Sequence, residues 1–91
     1  MFKRIRLIKG DTFTIQLSMP EGFRRISRAQ ITKGSGTPIA RMNTATSEDG
    51  LMNFRVGADI TGRMAGTYRY EIAVDADEGV KTIQHGILEV L

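Results

Sequence analysis

The sequence contains no cysteine and no tryptophan, and it has a single histidine. The absence of cysteine excludes disulfide bonds, thiolate zinc sites, iron–sulfur clusters and a cysteine nucleophile. His85 has no second histidine at an HxH or HxxxH spacing, so an imidazole metal pair is also excluded. We therefore expect neither a metal nor a cofactor.

Long apolar runs are missing as well. No segment approaches the ~20 apolar residues needed to span a bilayer. Residues 1–9 alternate apolar side chains with Lys and Arg and lack the apolar core of a signal peptide. The 91 residues are 41% hydrophobic and 25% charged, which is ordinary for a globular protein. We expect one soluble domain over residues 1–91, with no signal peptide and no membrane partner.

The charges are distributed unevenly along the chain. Residues 1–33 contain eight Lys or Arg and two acids, whereas residues 34–91 contain five Lys or Arg and eight acids. A basic segment of this kind is typical of a solvated surface, of a nucleic-acid patch or of contact between oppositely charged copies. The candidate contact residues are the arginines of this segment and one aromatic beside them: Arg4, Arg6, Phe23, Arg24, Arg25 and Arg28.

Apolar residues recur at a period of two along most of the chain, which indicates β-strands. The alternation predicts strands around Ile5–Leu7 and Phe13–Leu17, and over residues 27–33, 38–42, 51–56, 66–75 and 80–91. In the strand over 66–75, Tyr68, Tyr70, Ile72 and Val74 share one face. The charges of the first strand indicate a sheet edge.

The segments between these strands carry turn and loop signals. Gly34-Ser35-Gly36 predicts a hairpin turn, and the polar residues 43–50 predict a mobile loop. Residues 59–66 predict a connection with at most one helical turn, with Asp59 as a cap. The change of parity in the last strand predicts a β-bulge at Gly86.

Many short strands without an amphipathic helix predict an all-β fold, an antiparallel immunoglobulin-like β-sandwich of six to eight strands. A small closed β-barrel is the alternative. Tyr68 follows a connection and begins a late strand, which is the position of a tyrosine corner. A plain core aromatic is the other interpretation of this residue.

No arrangement of residues typical of catalysis is present in the sequence. His85 alternates with Ile83 and Ile87 on a strand and has no nucleophile at a characteristic spacing. The acids beside Gly79 lack the length and the distal Glu of a calcium loop and are typical of a hairpin turn. We therefore expect a protein that is not an enzyme and has no small-molecule substrate.

Four segments together resemble small β-sandwich proteins of tailed bacteriophages. They are Ile8-Lys9-Gly10-Asp11-Thr12-Phe13-Thr14-Ile15-Gln16-Leu17, Glu48-Asp49-Gly50-Leu51-Met52-Asn53-Phe54, Gly66-Thr67-Tyr68-Arg69-Tyr70-Glu71-Ile72-Ala73-Val74 and Lys81-Thr82-Ile83-Gln84-His85-Gly86-Ile87-Leu88-Glu89-Val90. The order is similar to that of N-terminal domains of baseplate upper proteins, although those continue into a helical linker and a second domain. The resemblance therefore implies a tail, baseplate, neck or head accessory protein.

Three functions remain open from the sequence. The first is a non-enzymatic phage or prophage structural or assembly protein, in the virion or the bacterial cytoplasm, that binds other virion proteins or itself as a homo-oligomer. The second is a nucleic-acid-binding accessory protein that uses the basic N-terminal third. The third is an immunoglobulin-like adhesion module, for which few aromatic residues are left over.

Overall fold

A computed structural model of the protein describes residues 1–34 and 36–91. Within these residues the chain forms eight strands and one short helix. The elements are β1 (Ile5–Leu7), β2 (Phe13–Ser18), β3 (Phe23–Thr32), β4 (Pro38–Arg41), β5 (Asn43–Thr46), β6 (Leu51–Val56), α1 (Ala58–Thr61), β7 (Gly66–Ala76) and β8 (Gly79–Val90). The prediction of an all-β fold is confirmed.

The strands form two sheets with a common core. The large sheet has the order β1-β8-β7-β3-β4, and the small sheet has the order β2-β6-β5. Neighbouring strands pair antiparallel except β1 and β8, which are parallel. The chain crosses from the large to the small sheet at Met42, between β4 and β5. Two sheets with separate edges form a β-sandwich, and the alternative of a closed barrel is wrong.

The core consists of the inward faces of both sheets. Alternate residues of β6, β7 and β8 are buried, as a period of two requires. The largest fully buried side chains include Phe54 and Met52 from the small sheet and Ile31, Ile72 and Leu88 from the large sheet. Each such side chain contributes about 1.5–3 kcal/mol through removal from water. Burial of these faces fixes which side of the large sheet remains at the surface.

The strand order agrees with an immunoglobulin-like arrangement. β7 lies between β3 and β8, as strand F lies between strands C and G, and β2 and β6 take the places of strands B and E. Tyr68 begins β7 just after α1, and its hydroxyl accepts a hydrogen bond from the Ala65 N–H at 2.8 Å. Tyr68 is also part of the buried core. Both interpretations of this residue therefore hold, since it is a core aromatic and forms a tyrosine corner.

Two regions differ from the predicted boundaries. The strand predicted over residues 27–33 begins four residues earlier, at Phe23, and ends at Thr32. The loop predicted over residues 43–50 contains β5, whose four residues are all exposed. β5 has no buried face and therefore no apolar alternation, and backbone pairing with β6 holds it in the sheet. The predicted turn Gly34-Ser35-Gly36 includes Ser35, which lies outside the described residues.

The predicted bulge is displaced, and the predicted helix cap is wrong. The extra residue in β8 is Ile83, since Gln84 pairs with Ile72 while Thr82 pairs with Ala73. The single helical turn is confirmed as α1, but its N-cap is Gly57, with no side-chain cap. Gly86 has a different role, set by the N-terminal segment.

The N-terminal segment extends the large sheet beyond β1. Phe2 bridges His85, and Ile5 pairs with Leu88 in the same parallel register. The Lys3 N–H donates to the carbonyl oxygen of His85 at 2.8 Å. Residues 1–7 therefore lie along β8 as one continuous edge segment.

A buried polar cluster joins this segment to the core. The hydroxyl of Tyr70 donates to the Lys3 carbonyl oxygen at 2.7 Å and accepts from the side-chain amide of Gln84 at 3.0 Å. Tyr70 is only 3% exposed and Gln84 only 4%. Burial raises the pKa of Tyr70, and the hydrogen bond from Gln84 opposes that rise. The neutral hydroxyl is the form that fits, because it can both donate and accept.

Gly86 lies beside this cluster and allows the N-terminal backbone to approach. A Cβ atom at position 86 would overlap the carbonyl group of Lys3. The parity signal at Gly86 was therefore real, but it marks close contact between backbones.

We expect the variant Tyr70→Phe to lower the free energy of unfolding by about 1–3 kcal/mol, because it leaves the Lys3 carbonyl and the Gln84 amide without a partner. The native protein should also lose stability as the pH rises above the unfolded pKa of 10.0, since the folded state holds the Tyr70 proton more tightly. Urea unfolding from pH 8 to 11 measures both effects. An equally steep alkaline loss in Tyr70→Phe would contradict this assignment.

We expect Gly86→Ala to cost about 1–3 kcal/mol of stability, because the added methyl group displaces the Lys3 backbone. Chemical denaturation of four proteins measures this: native, Gly86→Ala, a chain lacking residues 1–4, and the combination. The cost should largely disappear in the shortened chain, where the overlapping carbonyl is absent. If Gly86→Ala costs as much stability in the shortened chain as in the native chain, the clash does not involve the Lys3 backbone.

Candidate interaction surface

The candidate site is the solvent-facing side of the large sheet, called here the outer face. It carries the side chains that alternate with the buried ones on β1, β8, β7 and β3. Its members include Phe2, Arg4, Arg6, Arg28, Gln30, Thr32, Arg69, Glu71, His85, Ile87 and Glu89. The surface is wide because β7 and β8 are the longest strands of the chain.

All five arginines predicted as contact residues have a carboxylate of the same chain within 4.0 Å. Arg28 meets Glu71 at 2.6 Å, and Arg25 meets Asp75 at 2.6 Å. The remaining pairs are Arg24 with Asp77 at 2.9 Å, Arg6 with Glu89 at 3.5 Å and Arg4 with Glu89 at 4.0 Å. The basic N-terminal third is thus largely neutralised by acids of β7 and β8 and the turn between them.

The predicted contact residues do not form one patch. Arg6 lies beside Glu89 at one end of β8, whereas Arg25 pairs with Asp75, whose own partner is Val80 at the other end. Nine positions along a strand correspond to roughly 25–30 Å. Phe23 is half-buried and packs against the core, so it is only partly available to a partner.

A shallow groove lies on the outer face between these two groups of arginines. Its volume is about 790 Å³. The polar part of its lining includes Gln30, Thr32, Arg69, Glu71 and His85, and the apolar part includes Met1, Phe2 and Ile87. An open groove with mixed lining suits a protein surface better than an enclosed small molecule, which needs a deep and mostly apolar pocket.

Phe2 places an exposed aromatic ring at this groove. It is 58% exposed, and its ring meets the imidazole of His85 edge to face, with centroids 5.6 Å apart. Backbone pairing with β8 holds Phe2 in place, so the ring is exposed by the fold. Exposed aromatic groups held on a rigid sheet are common anchors in interfaces.

Arg69 gives the groove its charge. It is exposed on β7, opposite Thr32 of β3 and Ile87 of β8, and no carboxylate lies within salt-bridge distance of it among the described residues. The neighbouring Glu71 is already engaged by Arg28. The outer face therefore combines ion pairs with arginines that have no carboxylate partner among the described residues, namely Arg69 in the groove beside an exposed aromatic ring and Arg41 at the end of β4.

In the described part of the chain, the other residues that could act as metal ligands or catalytic groups do not come together at one site. No three His, Asp or Glu side chains there lie close enough together to hold a metal ion. His85 contacts Phe2, and Asp75 and Asp77 contact arginines. In residues 1–34 and 36–91, no helix combines the length and apolar character needed to cross a membrane.

Reasoning from the sequence did not identify Arg69 as part of the site. The alternation in β7 placed Arg69 and Glu71 on the polar face, which is correct. Which neighbours they meet depends on the register of β3 and β8, and no local signal encodes that register. Phe2 was recognisable only as an aromatic residue without an assigned core position.

If the ion pairs mask the arginines, neutralising their partners should release them. We expect the triple variant Glu71→Gln, Asp75→Asn, Asp77→Asn to bind duplex DNA more tightly than the native chain at low salt, with a salt slope steeper by up to roughly 3. Fluorescence anisotropy over a salt series measures this. Tight, steeply salt-dependent binding by the native chain, unchanged in the variant, would contradict the masking.

Comparisons with known proteins give a likeness of fold. No protein-family model and no curated protein sequence matches the chain. A solved structure of an endo-fucoidan hydrolase from glycoside hydrolase family 107 matches with a TM-score of 0.60 and 21% sequence identity. The match covers 99% of this chain and 13% of that enzyme chain. At this identity the likeness shows the fold alone, so the chain shares its β-sandwich with a small part of a longer protein.

Proposed function

We propose that the protein is a non-enzymatic structural or assembly module of a tailed-phage particle, which binds a neighbouring virion protein through the outer face of its large sheet. The observation that carries the proposal is that an exposed aromatic ring, Phe2, and an arginine without a carboxylate partner among the described residues, Arg69, line one open groove. An aromatic and an arginine together form a common centre of a protein interface.

The fold suits this role. A sandwich held by a continuous core presents its sheet faces with little conformational entropy to lose on binding. The phage assignment itself comes from the resemblance of the four sequence segments.

The nucleic-acid alternative receives less support from the described residues. Five of its eight proposed cations are engaged by carboxylates, and Phe23 packs against the core. The remaining exposed aromatic, Phe2, is a single ring, whereas single-strand binding uses several successive stacking platforms. An adhesion module that binds through an aromatic platform would also need more exposed aromatic rings than Phe2 provides.

The decisive test is incorporation into particles. The gene is deleted from the phage or prophage that carries it, and the protein is supplied in trans as native, Phe2→Ala, Arg69→Glu or Arg55→Glu. Arg55 is the matched control, because it is an exposed arginine on the small sheet without a carboxylate partner among the described residues. Quantitative mass spectrometry of purified particles measures the protein.

We expect native protein and Arg55→Glu at a fixed ratio to the other virion proteins, and a loss of about tenfold or more for Phe2→Ala and Arg69→Glu, the size of a typical interface anchor. Absence of native protein from purified particles contradicts the virion role. Equal incorporation of all four proteins contradicts the outer face as the binding surface.

A further inference from the structure

The edge strands of the sandwich differ in how they are protected. β4 begins with Pro38 and ends with Arg41, and the β1 segment carries Arg4 and Arg6, all of which discourage pairing with another strand. β5 is short, and all four of its residues are exposed. β2 is the outer strand at the other edge of the small sheet, and its residues have neither a charge nor a proline.

The ladder of the small sheet shows which backbone groups of β2 point outward. The Met19 N–H donates to the Gly50 carbonyl, and this pair continues the register of β2 with β6. Hydrogen-bonded and non-hydrogen-bonded pairs alternate in an antiparallel ladder, so Leu17, Ile15 and Phe13 also bond to β6. The N–H and C=O groups of Thr14 and Gln16 therefore face away from β6, and no described segment pairs with them.

Space for another strand exists beside these groups. A groove of about 300 Å³ runs along this edge, lined by residues 13–17 of β2 together with Lys3, Ile5 and Gln84. Phe13, Ile15 and Leu17 are only half-buried, although their side chains point toward the core. The edge thus offers unpaired backbone groups next to incompletely covered apolar side chains.

We propose that β2 pairs antiparallel with β2 of a second copy, about a two-fold axis that passes between the two Ile15 residues. Thr14 of each copy then forms a hydrogen-bonded pair with Gln16 of the other, which uses the outward-facing groups. Phe13 lies across from Leu17, so apolar side chains meet apolar ones on the core side. The two small sheets join into one continuous sheet.

β2 itself carries no charged residue, so the register brings no like charges of the two strands face to face. A closed two-fold pair also leaves no β2 edge for further copies.

This inference goes beyond the proposed function, because it concerns the small sheet and the outer face lies on the large one. Either can fail alone. If the protein does not dimerise, the incorporation phenotype expected for Arg69→Glu is unaffected. Equal incorporation of all outer-face variants would leave the dimer untouched.

The experiment is sedimentation velocity over a concentration series with native protein, Gln16→Pro and Thr44→Pro. The Gln16 N–H faces away from β6, so proline there removes an edge donor without breaking the existing ladder. Thr44 is the matched control, since the Ser47 N–H bonds to Leu51 and the alternation turns the Thr44 N–H to the other edge of the same sheet. We expect reversible dimers for native protein and Thr44→Pro, and monomers for Gln16→Pro.

A second pair of variants tests the register and does not depend on proline. Thr14→Lys with Gln16→Lys places like charges opposite each other in the dimer, whereas Thr14→Glu with Gln16→Lys places opposite charges there. We expect folded monomers for the first and dimers for the second, with circular dichroism confirming the fold. A native chain that stays monomeric, or dimers in both double variants, would overturn the proposal.

Discussion

The parallel pairing of the N-terminal segment with β8 determines most of the surface of this protein. It requires the bare backbone of Gly86, and it is held by the bond between the Tyr70 hydroxyl and the Lys3 carbonyl. The same pairing carries Phe2 to His85 and brings Arg6 to Glu89. Because the N-terminal segment belongs to the large sheet, the outer edge of β2 in the small sheet is left uncovered. Both proposed interaction sites therefore follow from the pairing of the N-terminal segment with β8 and not with β2.

The fold class was readable from the sequence because burial leaves a period of two in the residues. β7 shows this well, since Tyr68, Tyr70, Ile72 and Val74 share one face and all four are buried, while Arg69 and Glu71 lie on the other face. The position of Tyr68 after a turn also indicated its corner role, which depends only on local geometry. The period of two and the position of a tyrosine after a turn are both local patterns, and both can be recognised within the sequence of a single strand.

Features that depend on a distant partner were misplaced or missed. β5 has no buried face, so its pairing with β6 left no trace in composition. Gly86 gave a correct signal with the wrong explanation, since the contact that requires it comes from Lys3 at the other end of the sequence. The ion pairs were hidden for the same reason, because Arg28 and Glu71 are brought together only by the register of β3 with β7.

The ion pairs of the outer face join parts of the chain that are far apart in sequence, so they exist only once the strands of the large sheet have assembled. Before that point the first 33 residues carry eight cations against two acids. Folding brings the carboxylates of Glu71, Asp75, Asp77 and Glu89 to the arginines of this segment, so the charge pattern of the finished surface is itself a product of the strand register.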